Sequence, residues 1–231
     1  MTGILIIDKP ENWTSFDVIA KLRGVLGVQK IGHTGTLDPM ATGVLPVFVS
    51  REATRLISNY EGADKEYIAG LRLGVTTDTL DTTGRVLYTS PGEVTRERLE
   101  DTLSGFRGEI SQIPPMYSAV KIGGERLYKL ARRGAEAIRP PRQITVFAAE
   151  ILDEPNEAPR AEWTLRFCVS KGTYIRALCA DIGAALGVGG AMCSLRRTRV
   201  GEFTLADALT MDEALALAES GELSGRLRAA V

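Results

Sequence analysis

The stretch "GHTGTLDPMATG" occupies residues 32–43 and contains the one histidine of the chain, His33, together with one carboxylate, Asp38. Asp38 precedes a proline, which favours extended backbone at the aspartate. The glycines around it allow another molecule to approach the backbone closely. An aspartate in such a loop can act as a nucleophile or a general base, although Asp-Pro is also a common turn. The stretch therefore predicts a loop with one candidate catalytic acid.

Composition narrows the class of protein. The 231 residues suit one large domain, or one domain with a small appendage. The three cysteines lack metal-ligand or disulfide spacing, which indicates buried thiols in a reducing compartment. The N-terminal "MTGILIIDKP" has no basic region before a long apolar core, and no apolar run is long enough to span a membrane. We therefore expect a cytoplasmic globular protein with no membrane partner.

The charge is unevenly distributed, although the net charge is only −1. Between Lys121 and Arg142, seven basic residues stand against two acidic ones, and residues 166–201 are also mainly basic. A basic face of this kind is typical of proteins that bind a polyanion. Solvated helix faces would produce the same pattern, and charge alone favours that simpler interpretation.

The order of predicted elements indicates an α+β fold. "GILIID" at 3–8 has the β-branched character of a strand, and Thr14 or Ser15 can cap the helix that follows. The segments at 142–154 and 161–172 read as a hairpin of long strands, and 173–187 reads as an amphipathic helix. Because strands and helices alternate without a regular βαβ rhythm, we expect a mixed, mainly antiparallel sheet flanked by helices and loops.

Six segments in order resemble one enzyme family. The opening stretch, extended to "GHTGTLDPMATGVLP", resembles the catalytic motif of the TruB-type pseudouridine synthases, which modify the T-loop of tRNA. The other five segments are similar to further blocks of that family. They are "LIIDKPENWTS", "KEYIAGLRLGVTTDTLDTTG", "IPPMYSAVKIGGERLYKLAR", "SKGTYIRALCADIG" and "SLRRTRVGEF". The resemblance runs from Gly3 to about Phe203 and implies the pseudouridine synthase fold.

The resemblance implies a reaction without cofactor or metal. A uridine at position 55 of the tRNA T-loop would be flipped out of its stack, its glycosidic bond broken with the help of Asp38, and its C5 joined to C1′. Three first steps stay open: attack of Asp38 on C1′, attack on C6, or removal of the C2′ proton.

Matching positions give the expected site. The resemblance implies that Tyr67 stacks on the flipped base, that Tyr174 and Arg176 belong to the active site, and that Arg176 pairs with Asp38. It also implies that His33 contacts the RNA and that Leu195 lines the uracil pocket. Each of these types is common in structural roles, so spacing alone would leave Tyr67 and Leu195 in the core.

Other residues are expected to bind the RNA backbone or to support the site. Lys9 and Pro10 are predicted to support the active-site tyrosine by packing. Asn12 stands where the family usually has glycine, and asparagine tolerates positive φ better than most residues. By the resemblance, the basic segment 121–142 corresponds to a mobile insertion that grips the RNA. The predicted backbone contacts are Lys121, Arg132, Arg133, Arg196 and Arg197.

The expected organisation is a catalytic domain at 1–203 and a short helical tail at 204–231, without the RNA-binding PUA domain of many bacterial members. We expect a monomer with tRNA as its partner and no obligate protein partner. Two other functions stay open. A non-catalytic chaperone that refolds tRNA would not need Asp38. A glycoside hydrolase would need a second carboxylate, for which Asp78 and Asp81 are the candidates.

Overall fold

A computed structural model describes residues 1–155 and 158–230. Its strands are β1 Gly3–Lys9, β2 Ile31–His33, β3 Thr42–Val49, β4 Lys65–Leu73, β5 Val75–Thr77, β6 Val86–Thr89, β7 Gly108–Gln112, β8 Lys121–Ile122, β9 Glu125–Arg126, β10 Arg142–Ile151, β11 Glu162–Val169, β12 Gly190–Val200, β13 Phe203–Thr204 and β14 Leu209–Thr210. Its α-helices are α1 Ser15–Leu26, α2 Arg51–Arg55, α3 Ile57–Tyr60, α4 Arg96–Ser104, α5 Leu127–Arg132, α6 Ile175–Ala185 and α7 Met211–Glu219. Two 3₁₀ turns cover Leu205–Asp207 and Leu223–Arg226.

The chain divides into two compact units. Unit 1 comprises residues 1–67 and 195–231, and unit 2 comprises residues 68–194. The boundaries fall inside β4 and β12, so each of these strands contributes residues to both units. The sequence predicts a single boundary at residue 203, whereas unit 1 combines two separate segments of the chain. The boundary at residue 203 stays a prediction.

The sheet of unit 1 has the order β14–β1–β3–β12, with β2 on β3 and β13 on β12. The β1–β3, β2–β3 and β12–β13 pairs are antiparallel, whereas β1–β14 and β3–β12 are parallel. Side chains alternate between the faces of a strand, and β1 is buried on both. Leu5 and Ile7 join one core cluster, and Ile4 and Ile6 join the other.

Residues after 203 are part of this core. Met211, Ala214 and Leu223 are buried in the same cluster as Leu5 and Ile7. The β14 strand also pairs with β1, joining Ile7 to Leu209. The predicted helical tail therefore contains a helix, as expected, but it also supplies a strand and core side chains to unit 1.

In unit 2, β4, β11, β10 and β7 are neighbours in that order. The predicted hairpin is confirmed as the antiparallel β10–β11 pair, with a bulge between Val146 and Ala148. Smaller antiparallel pairs form between β5 and β6 and between β8 and β9. The mixed, mainly antiparallel sheet agrees with the sequence-based prediction. No helix in the described ranges is long and apolar enough to cross a bilayer.

Candidate active site

Asp38 lies in the loop that joins β2 to β3 in unit 1, which we call the Asp38 loop (residues 34–41). The amide of Ala41 donates to the carbonyl of Asp38 at 3.0 Å and closes a four-residue turn. Pro39 occupies the second position of that turn, where its fixed φ is favourable. The Asp38 side chain is partly buried. The turn therefore presents one carboxylate on a backbone with little freedom.

The loop is anchored to the segment that follows β1. Ser15 Oγ accepts from the Leu37 amide at 2.9 Å and lies 3.2 Å from the Leu37 carbonyl. The Asn12 amide donates to the Pro39 carbonyl at 2.9 Å. Asn12 adopts a φ of 63°, which confirms the expectation that asparagine can take the conformation for which the family usually has glycine.

Lys9 places a buried positive charge beneath the segment that anchors the Asp38 loop. Its side chain is fully buried, and Nζ donates to the carbonyls of Pro10 at 2.8 Å, Trp13 at 2.6 Å and Pro39 at 3.2 Å. Burial lowers the pKa of Lys9 to about 8, while the Asp38 carboxylate acts in the opposite direction and raises it. Because Lys9 donates three N–H hydrogen bonds, its side chain is in the ammonium form. Lys9 thus places a positive charge in the field of Asp38. Its predicted support of Tyr67 stays a prediction.

Arg197 requires a correction to the predicted set of RNA backbone contacts. The side chain is only 1 % exposed, and Nε donates to the Val44 carbonyl at 2.7 Å. A guanidinium held in this way is not at the surface, where a phosphate would meet it. The sequence pattern failed here because two adjacent arginines on a strand point to opposite faces, and only one of them can be outside.

Arg196, the neighbour of Arg197, is the one that stays accessible. Its side chain is 41 % exposed and pairs with Asp8, with Nη2 at 2.7 Å from Oδ2 and Nη1 at 3.3 Å from Oδ1. Nη1 also lies 3.2 Å from the Thr42 hydroxyl. Arg196 stays a predicted RNA contact.

His33 ends β2, at the start of the Asp38 loop. Its side chain is partly buried, and Nδ1 has no hydrogen-bond partner within the described part of the chain. Burial and then the charge of Arg197 lower the pKa of His33 below its usual 6.5. The imidazole is therefore neutral at pH 7 and can both donate and accept a hydrogen bond. This is compatible with the predicted RNA contact and does not test it.

Tyr67 and Leu195 are the remaining predicted site residues in unit 1. Tyr67 lies in β4 and is 7 % exposed, and Leu195 lies in β12 and is 8 % exposed. Both side chains are held by sheet packing, so neither has the freedom of a surface residue. Their predicted roles, stacking on the base and lining the uracil pocket, stay predictions.

Unit 2 holds the other two predicted site residues at the start of α6. Arg176 is 5 % exposed; Nη1 donates to the Thr79 carbonyl at 2.9 Å and Nη2 to the Tyr117 carbonyl at 2.8 Å. Its Nε lies 3.8 Å from Oδ2 of Asp81, which is also buried. The predicted pair between Arg176 and Asp38 joins residues of different units and stays a prediction.

Tyr174 is the N-cap residue of α6 and is fixed through its backbone. Its amide donates to Gln112 Oε1 at 2.8 Å, and Gln112 Nε2 donates to its carbonyl at 3.1 Å. Gln112 is itself only 2 % exposed, so this amide pair is a rigid clamp. The predicted role of Tyr174 in substrate binding stays a prediction.

The predicted RNA-gripping segment forms the short β8–β9 hairpin and α5. Lys121, Arg132 and Arg133 are all exposed. The Arg132 guanidinium lies over the Tyr128 ring at 5.5 Å, and Arg133 Nη2 lies 2.6 Å from Glu125 Oε1. Surface pairs of this kind contribute little stability, so these cations remain available to an anionic partner. The mobility of 121–142 stays a prediction.

Three residues that hold predicted site residues in place, one in unit 1 and two in unit 2, were not predicted from the sequence. Ser15 was considered only as a helix cap, although its hydroxyl holds the Asp38 loop. Gln112 carried no signal, because a lone glutamine at a strand end has no pattern. By sequence alone Asp81 is a candidate second catalytic acid, yet in the structure it pairs with Arg176. Its position in a loop rich in threonine was the available signal, since threonines commonly hydrogen-bond a nearby carboxylate.

Comparison with known proteins identifies the family of this chain. The model of the TruB family pseudouridylate synthase N-terminal domain matches residues 23–175, and that of the tRNA pseudouridylate synthase B C-terminal domain matches residues 176–231. Two curated relatives are both called tRNA pseudouridine synthase B. The one from Clostridium kluyveri is 47 % identical over 92 % of this chain and 72 % of its own length, and the one from Dechloromonas aromatica is 46 % identical over 96 % and 72 %.

A solved structure shows the same fold. It is the crystal structure of a Cbf5–Nop10–Gar1 complex, which aligns with a TM-score of 0.76 and 32 % identity. The alignment covers 98 % of this chain and 60 % of that one, so the present chain spans less than two thirds of the solved protein. The predicted pseudouridine synthase fold is confirmed.

The chain belongs to the TruB family of pseudouridylate synthases. Its enzyme class is that of the tRNA pseudouridine synthases of type B, as the family models and the curated relatives agree.

Proposed function

We propose that the chain converts the uridine at position 55 of the tRNA T-loop into pseudouridine, with Asp38 as the acting carboxylate. The observation that carries the proposal is the anchoring of the Asp38 loop by Lys9, Asn12 and Ser15, all three through hydrogen bonds to the loop backbone. A loop fixed in this way holds its carboxylate in one place, which is what attack on a bound nucleoside requires.

The reaction is an isomerisation, so its balance needs no external oxidant or second substrate. The bond between N1 and C1′ breaks, the uracil turns, and a bond between C5 and C1′ forms. The proton leaves C5, and N1 ends with a proton. The carboxylate of Asp38 assists cleavage of the bond between N1 and C1′, and it is back in its starting form once the bond between C5 and C1′ has formed and the proton has moved from C5 to N1.

The target base must leave its stack before Asp38 can act. Flipping a base costs a few kcal/mol, and stacking on an aromatic ring returns about 1–3 kcal/mol. In the proposal Tyr67 supplies that ring. Because Tyr67 is only 7 % exposed, its ring is already ordered and loses little freedom when the base binds.

Glycoside hydrolysis is disfavoured by the positions of the two other carboxylates. Asp78 Oδ1 accepts from the Arg85 amide at 2.8 Å. Asp81 Oδ1 accepts from the Thr79 hydroxyl at 2.8 Å and from the Thr83 amide at 3.0 Å. Both acids are therefore engaged in holding their own loop. Neither is presented as the second acid that a hydrolase needs.

The test uses an unmodified tRNA transcript labelled with tritium at C5 of uridine. Wild type releases tritium from the transcript without added metal, and a transcript with cytidine at position 55 shows no release. Asp38→Asn lowers the single-turnover rate by roughly 10³-fold or more while tRNA binding, measured by filter retention, changes little. The matched control is Asp64→Asn, an exposed carboxylate of the same unit, which retains the wild-type rate.

Two outcomes would overturn the proposal. Full activity of Asp38→Asn would remove the aspartate from the chemistry. Tight tRNA binding by the wild type with no tritium release from any tRNA would instead favour the non-catalytic chaperone.

A further inference from the structure

Arg197 carries a buried positive charge that the proposed reaction does not use. Its side chain is 1 % exposed, and Nη2 has no hydrogen-bond partner among the residues that the structure describes. A buried charge with an N–H group that lacks a hydrogen-bond partner is costly, so its presence calls for a role.

The contacts of Arg197 lie at both ends of the Asp38 loop. A Cβ placed on Gly35, near the start of the loop, would lie 3.0 Å from Arg197 Nη1. Just after the loop, a Cβ placed on Gly43 would lie 2.1 Å from the Arg197 carbonyl oxygen. Gly35 and Gly43 have φ values of 67° and 104°, so glycine is required there for backbone conformation as well as for space. Nε also donates to the Val44 carbonyl at 2.7 Å.

The charge of Arg197 also acts on two neighbours of Asp38. It lowers the pKa of His33, after the larger effect of burial. It lowers the pKa of Lys9 as well, against the opposite effect of Asp38. Arg23 on α1 and Glu52 and Arg55 on α2 lie on elements packed against β2, but Arg197 is the charge that acts on His33.

We propose that Arg197 is a positioning residue for the reaction: its guanidinium packs against Gly35 in the Asp38 loop and binds the Val44 carbonyl just after it, and so holds the loop in place. This inference rests on the proposed function, in which the Asp38 loop carries the reacting carboxylate. It replaces the phosphate contact that the sequence suggested for Arg197. A displaced loop weakens catalysis because a shift of about 1 Å in a reacting group costs roughly 10²-fold in rate.

Two substitutions separate the contacts of the Arg197 guanidinium from its positive charge. Arg197→Met removes both; at saturating tRNA its single-turnover rate falls by roughly 10²-fold, with a Kd for tRNA within about threefold of wild type. Arg197→Lys keeps the charge but cannot reproduce the guanidinium contacts, so its single-turnover rate lies between those of wild type and Arg197→Met. Arg226→Met removes an exposed charge from the same unit and serves as the matched control, with the wild-type rate and Kd.

His33 supplies a readout that a purely structural role would not move. It is the one histidine of the chain, so its imidazole signals in an NMR titration are unambiguous. In wild type and in Arg197→Lys the midpoint lies below 6.5. In Arg197→Met it rises toward 6.5, because one of its two lowering causes is gone. Circular dichroism of each variant reports whether the chain is folded.

Three results would overturn the inference. One is a wild-type rate at saturation in Arg197→Met. Another is a Kd weakened tenfold or more with an unchanged saturated rate, which is the signature of a phosphate contact. The third is an unchanged His33 midpoint. If Arg197→Met does not fold, Arg197→Lys decides, since a wild-type rate in that variant would refute the guanidinium contacts. Asp38→Asn, tested in parallel, shows whether the proposed function itself has failed.

Discussion

Replacing Gly43 with alanine tests how closely β12 packs against β3 just after the Asp38 loop. Gly43 pairs with Arg197 across the parallel β3–β12 contact and with Lys9 across the antiparallel β1–β3 contact. The added methyl group would lie 2.1 Å from the Arg197 carbonyl oxygen and 2.8 Å from its amide nitrogen. Both are backbone atoms, so no side-chain rotation can relieve the contact.

Two costs add at this position. An alanine in the left-handed region loses about 1–2 kcal/mol relative to glycine, and Gly43 has a φ of 104°. Forcing a methyl group into packed structure costs about 1–3 kcal/mol more. The free energy of unfolding should therefore fall by about 2–5 kcal/mol. We expect part of the relief to come from separation of β3 from β12, which would also displace Asp38.

Urea unfolding followed by circular dichroism measures the change. With a denaturant slope of about 2.5 kcal/mol per M, the midpoint falls by about 1–2 M. The matched control is Gly24→Ala in α1, where a Cβ meets nothing within 4 Å and φ is not in the left-handed region. That variant gains about 0.5–1 kcal/mol, as alanine does in a helix interior. A Gly43→Ala midpoint at or above that of wild type would refute the close contact between β3 and β12.

Three further predictions concern other parts of the two units. Burial lowers the pKa of Lys9 to about 8, against 10.5 in an unfolded chain, so between these values the unfolded chain holds more protons. The free energy of unfolding of wild type, relative to that of Lys9→Met, therefore rises by up to about 3 kcal/mol from pH 8 to 10.5. Urea unfolding at several pH values measures it, and a difference between the two proteins that does not change with pH would contradict the prediction. Thr14→Ala removes the hydroxyl that caps α1, which costs about 1 kcal/mol in thermal or urea unfolding. Asp81→Ala removes one carboxylate partner of the buried Arg176, which costs up to about 3–5 kcal/mol; an unchanged unfolding midpoint would show that the pair contributes nothing.

Local chemistry made much of the fold predictable. Thr14 is confirmed as the N-cap of α1, because a threonine three residues before an aspartate can form a capping box at a helix start. The positive φ of Asn12 followed from the same local reasoning. The hairpin at β10–β11 followed from two long predicted strands with a clear loop sequence between them.

What could not be predicted depends on contacts between distant parts of the chain. Nothing near Arg197 in sequence shows that Gly35 and Gly43 close over it, so an exposed phosphate contact was the natural interpretation. Burial of Met211 against β1 residues likewise depends on the β1–β14 pairing across 200 residues. Periodicity reports which face of an element is apolar, but it does not identify the partner.

Unit 1 is discontinuous in sequence, and this affects the order in which the protein can form during synthesis. Unit 2 is one continuous segment, 68–194, and can close as soon as that segment has been made. Unit 1 must wait for residues 195–231, which bring Arg197 beneath Gly43 and β14 alongside β1. The Asp38 loop therefore acquires its contact with Arg197 late, after its anchors at Lys9, Asn12 and Ser15 and after the exposed cations of 121–142 have been made.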